Sequence, residues 1–259
     1  MAKTIARIQS PYNRFAIEQT NEGVVELVVE GAVYATYDPA RYFTGYSWDG
    51  LSAACLLFPG GAPSSVLVLG LGGGTVCRQL RKLLPDVELT GVEIDAKIAQ
   101  AAQEYMALGA QDVEVIIDDA YAYLEKETRH FDVVIDDLYL TGAFDVERPK
   151  TPTGSVLTKL MARTTETGLV VANLIVDEGH FAVQRAARRA FQKSFFSARV
   201  VRPPRGLNEI IVGGCGEIGL APSQTLRTYA EELSGKDRRI FEAIKLTYLP
   251  TSRRARNLA

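Results

Sequence analysis

Val66-Leu67-Val68-Leu69-Gly70-Leu71-Gly72-Gly73-Gly74 decides the fold of this chain. An apolar run that ends in a glycine-rich turn is the opening strand of a nucleotide-binding α/β sheet. Glycine lets the backbone turn tightly and approach a ligand, because no Cβ stands in the way. Gly70, Gly72, Gly73 and Gly74 are therefore read as the cofactor-binding turn. A helix predicted from Thr75 to Leu84 points its N-terminal amides at the same ligand. The next strand, in Leu89-Thr90-Gly91-Val92-Glu93-Ile94-Asp95, ends on Glu93. An acid at that strand end accepts hydrogen bonds from ribose hydroxyls. Turn and acid together imply a nucleoside.

Outward from this stretch the chain alternates strand and helix. Strands are predicted at Val66–Leu69, Glu88–Glu93, Val113–Ile117, Phe131–Ile135 and Gly168–Leu174. Helices are predicted near Thr75–Leu84, Ala96–Leu108, Ala120–Thr128, Ser155–Arg163 and Glu178–Lys193. That alternation implies an α/β, Rossmann-like, doubly wound and mostly parallel sheet. Ala198–Val201 and Glu209–Val212 read as a closing strand pair. Upstream, Phe15–Gln19 and Val24–Glu30 flank the turn Thr20-Asn21-Glu22-Gly23, and Gly31–Tyr37 follows as a third strand. The expected organisation is a small antiparallel N-terminal β cap (1–45), a nucleoside-binding catalytic domain (46–222) opening on a helix at Tyr46–Leu57, and a C-terminal helical segment (223–259). The last of these ends in a basic tail, Ser252-Arg253-Arg254-Ala255-Arg256, read as solvated.

Composition excludes several classes. With 259 residues and 47% hydrophobic content the chain can bury a sizeable core. A net charge of -2 recruits neither nucleic acid nor an anionic membrane. Cys55, Cys77 and Cys215 show neither a disulfide framework nor metal-ligand spacing, so a reducing cytoplasm and no metal are expected. No apolar run has spanning length. Met1-Ala2-Lys3-Thr4-Ile5-Ala6-Arg7 lacks the apolar stretch of a secretion signal.

Ligands in such sheets sit beyond the carboxyl ends of the strands. That rule gathers Gly70, Glu93, Asp119 and Asp137 around one crevice. Asp119, in Ile116-Ile117-Asp118-Asp119-Ala120, has two readings. It accepts from an adenine amino group while the neighbouring amide of Ala120 meets a ring nitrogen, or it caps the following helix. Asp136 and Asp137 point to opposite faces of their strand, so one of them faces the cleft. A carboxylate there offsets a cationic donor or takes a proton from an amine. Tyr139 lines an acceptor pocket or packs the loop. His130 and His180 are read as surface residues.

The dinucleotide fingerprint G-x-G-x-x-G fails, because its third glycine falls on Thr75. G-x-G-x-G through Gly70, Gly72 and Gly74 is similar to the adenosylmethionine-binding pattern of Rossmann-like methyltransferases. Roughly residues 8–215 resemble the spermidine synthase-like superfamily, which pairs a β cap with such a core. The resemblance is carried by Ser10-Pro11-Tyr12, Glu30-Gly31-Ala32-Val33-Tyr34, the glycine turn, Val92-Glu93-Ile94-Asp95, Asp119-Ala120 and Phe131-Asp132-Val133-Val134-Ile135-Asp136-Asp137. It implies that Glu93 binds ribose, that Asp119 contacts adenine, that Asp137 holds the catalytic acid position, and that the protein is a homodimer. Nothing in the spacing specifies a dimer.

The departures matter as much. Aminopropyltransferases carry D-S-S-D-P or a close variant where this chain has Asp137-Leu138-Tyr139-Leu140-Thr141. The family's Y-H-E element appears as Tyr46-Ser47-Trp48, and its cap glutamine as Tyr34. Burying ammonium groups requires paired acids, so Leu140 argues against ordinary spermidine synthesis. Gly206-Leu207-Asn208-Glu209-Ile210 resembles spermidine synthase-like protein methyltransferases instead. Three readings follow. The first is methyl transfer from S-adenosylmethionine to a small-molecule or peptide acceptor. The second is aminopropyl transfer from decarboxylated S-adenosylmethionine. The third is a non-catalytic nucleoside- or partner-binding relative. The residues rank methyl transfer first.

Overall fold

A computed structural model describes residues 2–141 and 146–252. Lys3–Gln9 (β1), Arg14–Gln19 (β2), Val25–Val29 (β3) and Ala32–Tyr37 (β4) form an antiparallel sheet in that order. Period-two alternation gives it one apolar face with Phe15, Ile17, Val25, Leu27 and Val29. That face packs on Ile98, Ala101 and Met106, so the cap is stabilised by the main domain and not by itself. The sequence reading names three of its four strands. β1 alternates only between exposed and half-buried positions, which leaves a weak pattern.

The main domain follows as Ser47–Cys55 (α1), Ser65–Leu69 (β5), Thr75–Leu83 (α2), Glu88–Glu93 (β6), Ala96–Tyr105 (α3), Val113–Ile117 (β7), Ala120–Lys126 (α4) and Phe131–Asp136 (β8). The short strands Leu140–Thr141 (β9) and Val146–Glu147 (β10) pair as a separate ribbon. Then come Gly154–Ala162 (α5), Thr164–Ile175 (β11), Phe181–Ser194 (α6), Ser197–Arg202 (β12), Asn208–Gly214 (β13), Gln224–Glu231 (α7), Gly235–Glu242 (α8) and Lys245–Leu249 (β14).

The central sheet has eight strands in the order β14-β12-β13-β11-β8-β5-β6-β7. β11, β8, β5, β6 and β7 are parallel, and β13, β12 and β14 close the sheet antiparallel. β5 lies between β6 and β8. The chain leaves β5 on one side and returns on the other, and this reversal opens a crevice at the carboxyl ends. β5 also shows why the sheet is covered on both faces. Val66 and Val68 join one apolar layer with residues of α1 and α2, while Leu67 and Leu69 join the other with residues of α4, α5 and α6. Each such side chain contributes roughly 1.5–3 kcal/mol on burial.

Two expectations need amendment. The C-terminal segment is not only helical, because it also supplies the edge strand β14, paired with β12. Only Leu249 of that strand is buried, so alternation gave little signal. The basic run at 253–256 lies outside the described residues. The helix expected to reach Leu108 stops at Tyr105, and the chain turns through Ala107 at φ 55°. Among the described residues no helix is long and apolar enough to cross a membrane.

Candidate active site

The site begins where β5 ends. Gly70 has φ 88°, and a Cβ there would lie 2.4 Å from the Asp137 carbonyl oxygen. Only glycine serves, because the end of β8 is bound alongside: the Asp137 amide donates to Leu69 O at 3.0 Å. On the other side, the amides of Gly70 and Leu71 both donate to Val92 O. The turn is thereby tied to β6 and β8 together.

Glu93 is buried at the end of β6. Its Oε2 accepts from the Gly72 amide at 2.9 Å and its Oε1 from the Asp95 amide at 3.0 Å. Burial raises its pKa above the ordinary carboxylate value, against the opposing pull of these amides. Asp95 in turn latches the cap. Its Oδ2 accepts from Ser10 Oγ at 2.5 Å and from Asn13 Nδ2 at 3.1 Å, while Oδ1 caps α3 through the Lys97 amide.

Gly70 and Gly72 line a cavity of about 720 Å³ along the strand ends, a volume suited to a small-molecule ligand. Glu93, Asp119, Ala120, Asp137 and Tyr139 line it too. Gly73 and Gly74 do not. A Cβ on Gly73 would sit 2.4 Å from Ala35 Cβ, and one on Gly74 2.5 Å from Leu108 Cδ1. Those two glycines allow the cap and the turn after α3 to close onto the loop, so their place differs from the ligand-facing one expected.

Asp119 is a helix cap at the edge of the cavity. Its Oδ1 accepts from the Tyr121 and Ala122 amides at 2.9 Å, which caps α4, and the residue also lines the cavity. The strand alternation at Asp136 and Asp137 resolves as well. Asp136 is fully buried away from the cavity, with Oδ2 2.5 Å from Arg148 Nη2. Burial is the largest influence on Arg148 and pulls its pKa down, but the Asp136 charge together with Tyr139 and Tyr121 holds the guanidinium above its ordinary value. Truncating one member of a buried pair strands the other. Arg148→Met is therefore expected to lower the unfolding free energy by about 3–5 kcal/mol. Chemical denaturation measures this, and a loss below about 1 kcal/mol would remove the pair from the account of stability.

Asp137 faces the cavity, and its Oδ1 accepts from Asn173 Nδ2 at 2.8 Å. Burial pushes its pKa up to about 6, despite the Asn173 amide and the Arg148 charge, which both pull it down. Tyr139 lines the cavity and is also tied into the loop. Its hydroxyl donates to Asn173 O at 3.0 Å and accepts from the Ile175 amide at 3.2 Å. Burial pushes its pKa up to about 12. The hydroxyl is therefore a protonated tie between this loop and the end of β11, and only the residue's outline shapes the cavity.

His180 is no bare surface residue. Its Nδ1 lies 2.7 Å from Asp177 Oδ1 and its Nε2 3.1 Å from Val146 O, so it joins β10 to the start of α6. The cap-side aromatics divide. Tyr34, Tyr46 and Trp48 line the cavity. Tyr37 and Tyr42 instead flank the Arg78 guanidinium at 4.8 and 4.4 Å, and Phe43 packs edge-on against Phe241. Sequence reasoning missed Asn173. Its signal was a single amide inside the apolar run Leu169-Val170-Val171-Ala172-Asn173-Leu174.

The charge of the lining is one-sided. Glu26, Glu93, Asp118, Asp119, Asp137 and Asp177 face Lys150 alone among the described residues. Lys150 Nζ sits over the Tyr121 ring at 4.2 Å, on the α4 side of the cavity. Among the described residues no group of three or more His, Cys, Asp or Glu is arranged to hold a metal ion.

Fold and cavity define a Rossmann-like α/β chain of the class I methyltransferase type under a β cap. Residues 54–145 match the family model of the spermine/spermidine synthase domain. A probable polyamine aminopropyl transferase of Bifidobacterium longum is 31% identical over 144 residues, 55% of this chain and 31% of that protein. An eEF1A lysine and N-terminal methyltransferase homolog of Drosophila pseudoobscura is 44% identical over 78 residues, 28% of this chain and 11% of that protein. The chain thus spans under a third of the length of these curated relatives. A crystal structure of a probable spermidine synthase from Corynebacterium glutamicum aligns with TM-score 0.74 at 18% identity, over 98% of this chain and 93% of that one. That likeness is one of fold. Residues 54–145 are thus similar to the spermine/spermidine synthase domain, and the relatives matched carry the names of transferases.

Proposed function

We propose that this protein transfers an aminopropyl group from decarboxylated S-adenosylmethionine to an amine. The charge of the cavity carries this reading. Intact S-adenosylmethionine brings a carboxylate, which would enter among six acids with Lys150 as the one described cation. Lys150 sits against Tyr121, beside the Asp119-Ala120 corner read as the adenine site. The decarboxylated donor lacks that anion and bears two positive charges, so the same field attracts it more strongly. The family match favours the same choice. Methyl transfer, ranked first from the sequence, keeps the support of the methyltransferase homolog.

The residues present fit the donor. Gly70 and Gly72 leave backbone room, Glu93 would receive the ribose hydroxyls, and Asp119 with Ala120 would meet the adenine edge. The donor supplies a carbon made electrophilic by its sulfonium: the amine lone pair forms the new C–N bond as the C–S bond breaks, and methylthioadenosine leaves. Asp137 takes the proton released by the amine. A carboxylate with pKa near 6 is ionised at neutral pH, yet close enough to it to serve as a base.

Calorimetric titration tests the donor. Decarboxylated S-adenosylmethionine and methylthioadenosine are expected to bind at least tenfold more tightly than S-adenosylmethionine and S-adenosylhomocysteine. The opposite order would restore methyl transfer. Binding of none of the four would leave a non-catalytic relative.

A further inference from the structure

We propose that Asn208 is a substrate-binding residue whose side-chain carbonyl, together with Asp137, grips the acceptor amine. The proposal rests on the aminopropyl reading above.

The argument is one of hydrogen-bond polarity. An ionised carboxylate can only accept, so Asn173 must present its amide nitrogen to Asp137, and it does, at 2.8 Å. That fixes the Asn173 carbonyl toward Asn208, which must then donate. Asn208 Nδ2 lies 3.0 Å from Asn173 Oδ1. The relay leaves Asn208 with its Oδ1 and one N–H to spare, and the Oδ1 accepts no hydrogen bond among the described residues. Asn173 and Asn208 both line the cavity. Asp137 thereby dictates that its distant neighbour is an acceptor as well. A primary amine entering here is a donor, and it meets two acceptors.

The position of Asn208 is fixed from several sides. Asn208 pairs with Ile175 in the antiparallel β11–β13 ladder. The preceding carbonyl, Leu207 O, accepts from the Val176 amide at 2.6 Å. The following residue, Glu209, is fully buried and ion-paired with Arg202 at 2.9 Å. Gly206 turns at φ 82°, and a Cβ there would come within 3.4 Å of Asn208 Oδ1. The turn at Gly206 thus borders both that oxygen and the cavity residue Tyr46. The segment Gly206-Leu207-Asn208-Glu209 thus has a use that the donor site does not explain. Asn208 also provides, without charge, a second grip on the amine in a chain that has Leu140 where an acid would otherwise stand.

Steady-state kinetics with the decarboxylated donor and putrescine or n-butylamine as acceptor test this, beside calorimetry with methylthioadenosine. Asn208→Ala is expected to raise the amine KM at least tenfold, with kcat changed less than threefold and methylthioadenosine affinity within twofold. Asn208→Ser, which keeps a shorter polar group at the site, is expected to fall between. Asn173→Leu should also move the acidic limb of the pH–rate profile upward, because Asp137 loses a donor to its charged form. An amine KM within twofold of wild type in Asn208→Ala overturns the proposal. So does a parallel loss of methylthioadenosine affinity, which would mark a purely structural role. Absence of turnover by wild type, with donor bound, overturns it too. Failure of the donor to bind would instead defeat the aminopropyl reading itself.

Discussion

Asp137→Asn is expected to lower kcat by about 10²- to 10⁴-fold, the range for removal of a positioned general base. Methylthioadenosine affinity should stay within a few-fold, because that nucleoside is neutral and lacks the reacting amine. In the wild type the base works only when ionised. With a pKa near 6, kcat should fall about tenfold per pH unit below that value and be flat above it. Asp137→Asn should lose this acidic limb. Stability moves the other way. The folded pKa lies above that of the unfolded carboxyl, so between about pH 4 and 6 the native state holds the extra proton. The associated stability is present at low pH and is lost as pH rises through 6. At neutral pH the wild type therefore carries a buried charge that an amide does not. Asp137→Asn should gain about 1 kcal/mol, or a Tm rise of roughly 2–4 °C. Normal turnover by the Asp137→Asn variant would place the base elsewhere.

That pairing of lost rate with gained stability also shows which parts of the site could be read in advance. Val66–Leu69 and Glu88–Glu93 are apolar, bounded by glycine, and lie where the structure has β5 and β6. Short-range pattern suffices for them, because burial on both faces demands continuous apolar residues. Glu93 was legible for the same reason, being an acid at the end of such a run, and the same pattern offered Asp136 and Asp137 without saying which of them lines the cavity. Residues whose role depends on a distant partner were not. Gly73 looks like a ligand-facing glycine until Ala35 and Met106 are seen to press on it. Arg148 carries no local sign that it neutralises Asp136. Tyr139 has the right chemistry for a proton carrier, but the backbone of β11 claims its hydroxyl. β14 hides because an edge strand with one buried side chain has almost no periodicity. Local chemistry located the acids, and only topology could reveal what holds them.

Glu93→Gln is the complementary experiment, with an expected loss of about 100-fold in methylthioadenosine affinity. The native carboxylate accepts from the Gly72 and Asp95 amides on its two oxygens. Each oxygen has a further lone pair for a ribose hydroxyl. A glutamine keeps one oxygen. Its NH₂ group must then oppose the Gly72 or the Asp95 amide, which is left unpaired, and the charged acceptor for the ribose hydroxyls is gone. Hydrogen bonds to a charged acceptor contribute about 1.5–3 kcal/mol each, so losing one to two of them accounts for the hundredfold change. The fold should tolerate the change better than the ligand does. Removing a buried charge whose pKa is already raised offsets part of the cost of the orphaned amide. The unfolding free energy is thus expected to move by less than about 2 kcal/mol, within what one unsatisfied buried amide costs. The two variants should separate cleanly, since Asp137→Asn loses rate and keeps the nucleoside, while Glu93→Gln loses the nucleoside and keeps the base. If Glu93→Gln bound methylthioadenosine as tightly as wild type, the sugar would not rest on β6, and the donor would have to be placed elsewhere in the cavity.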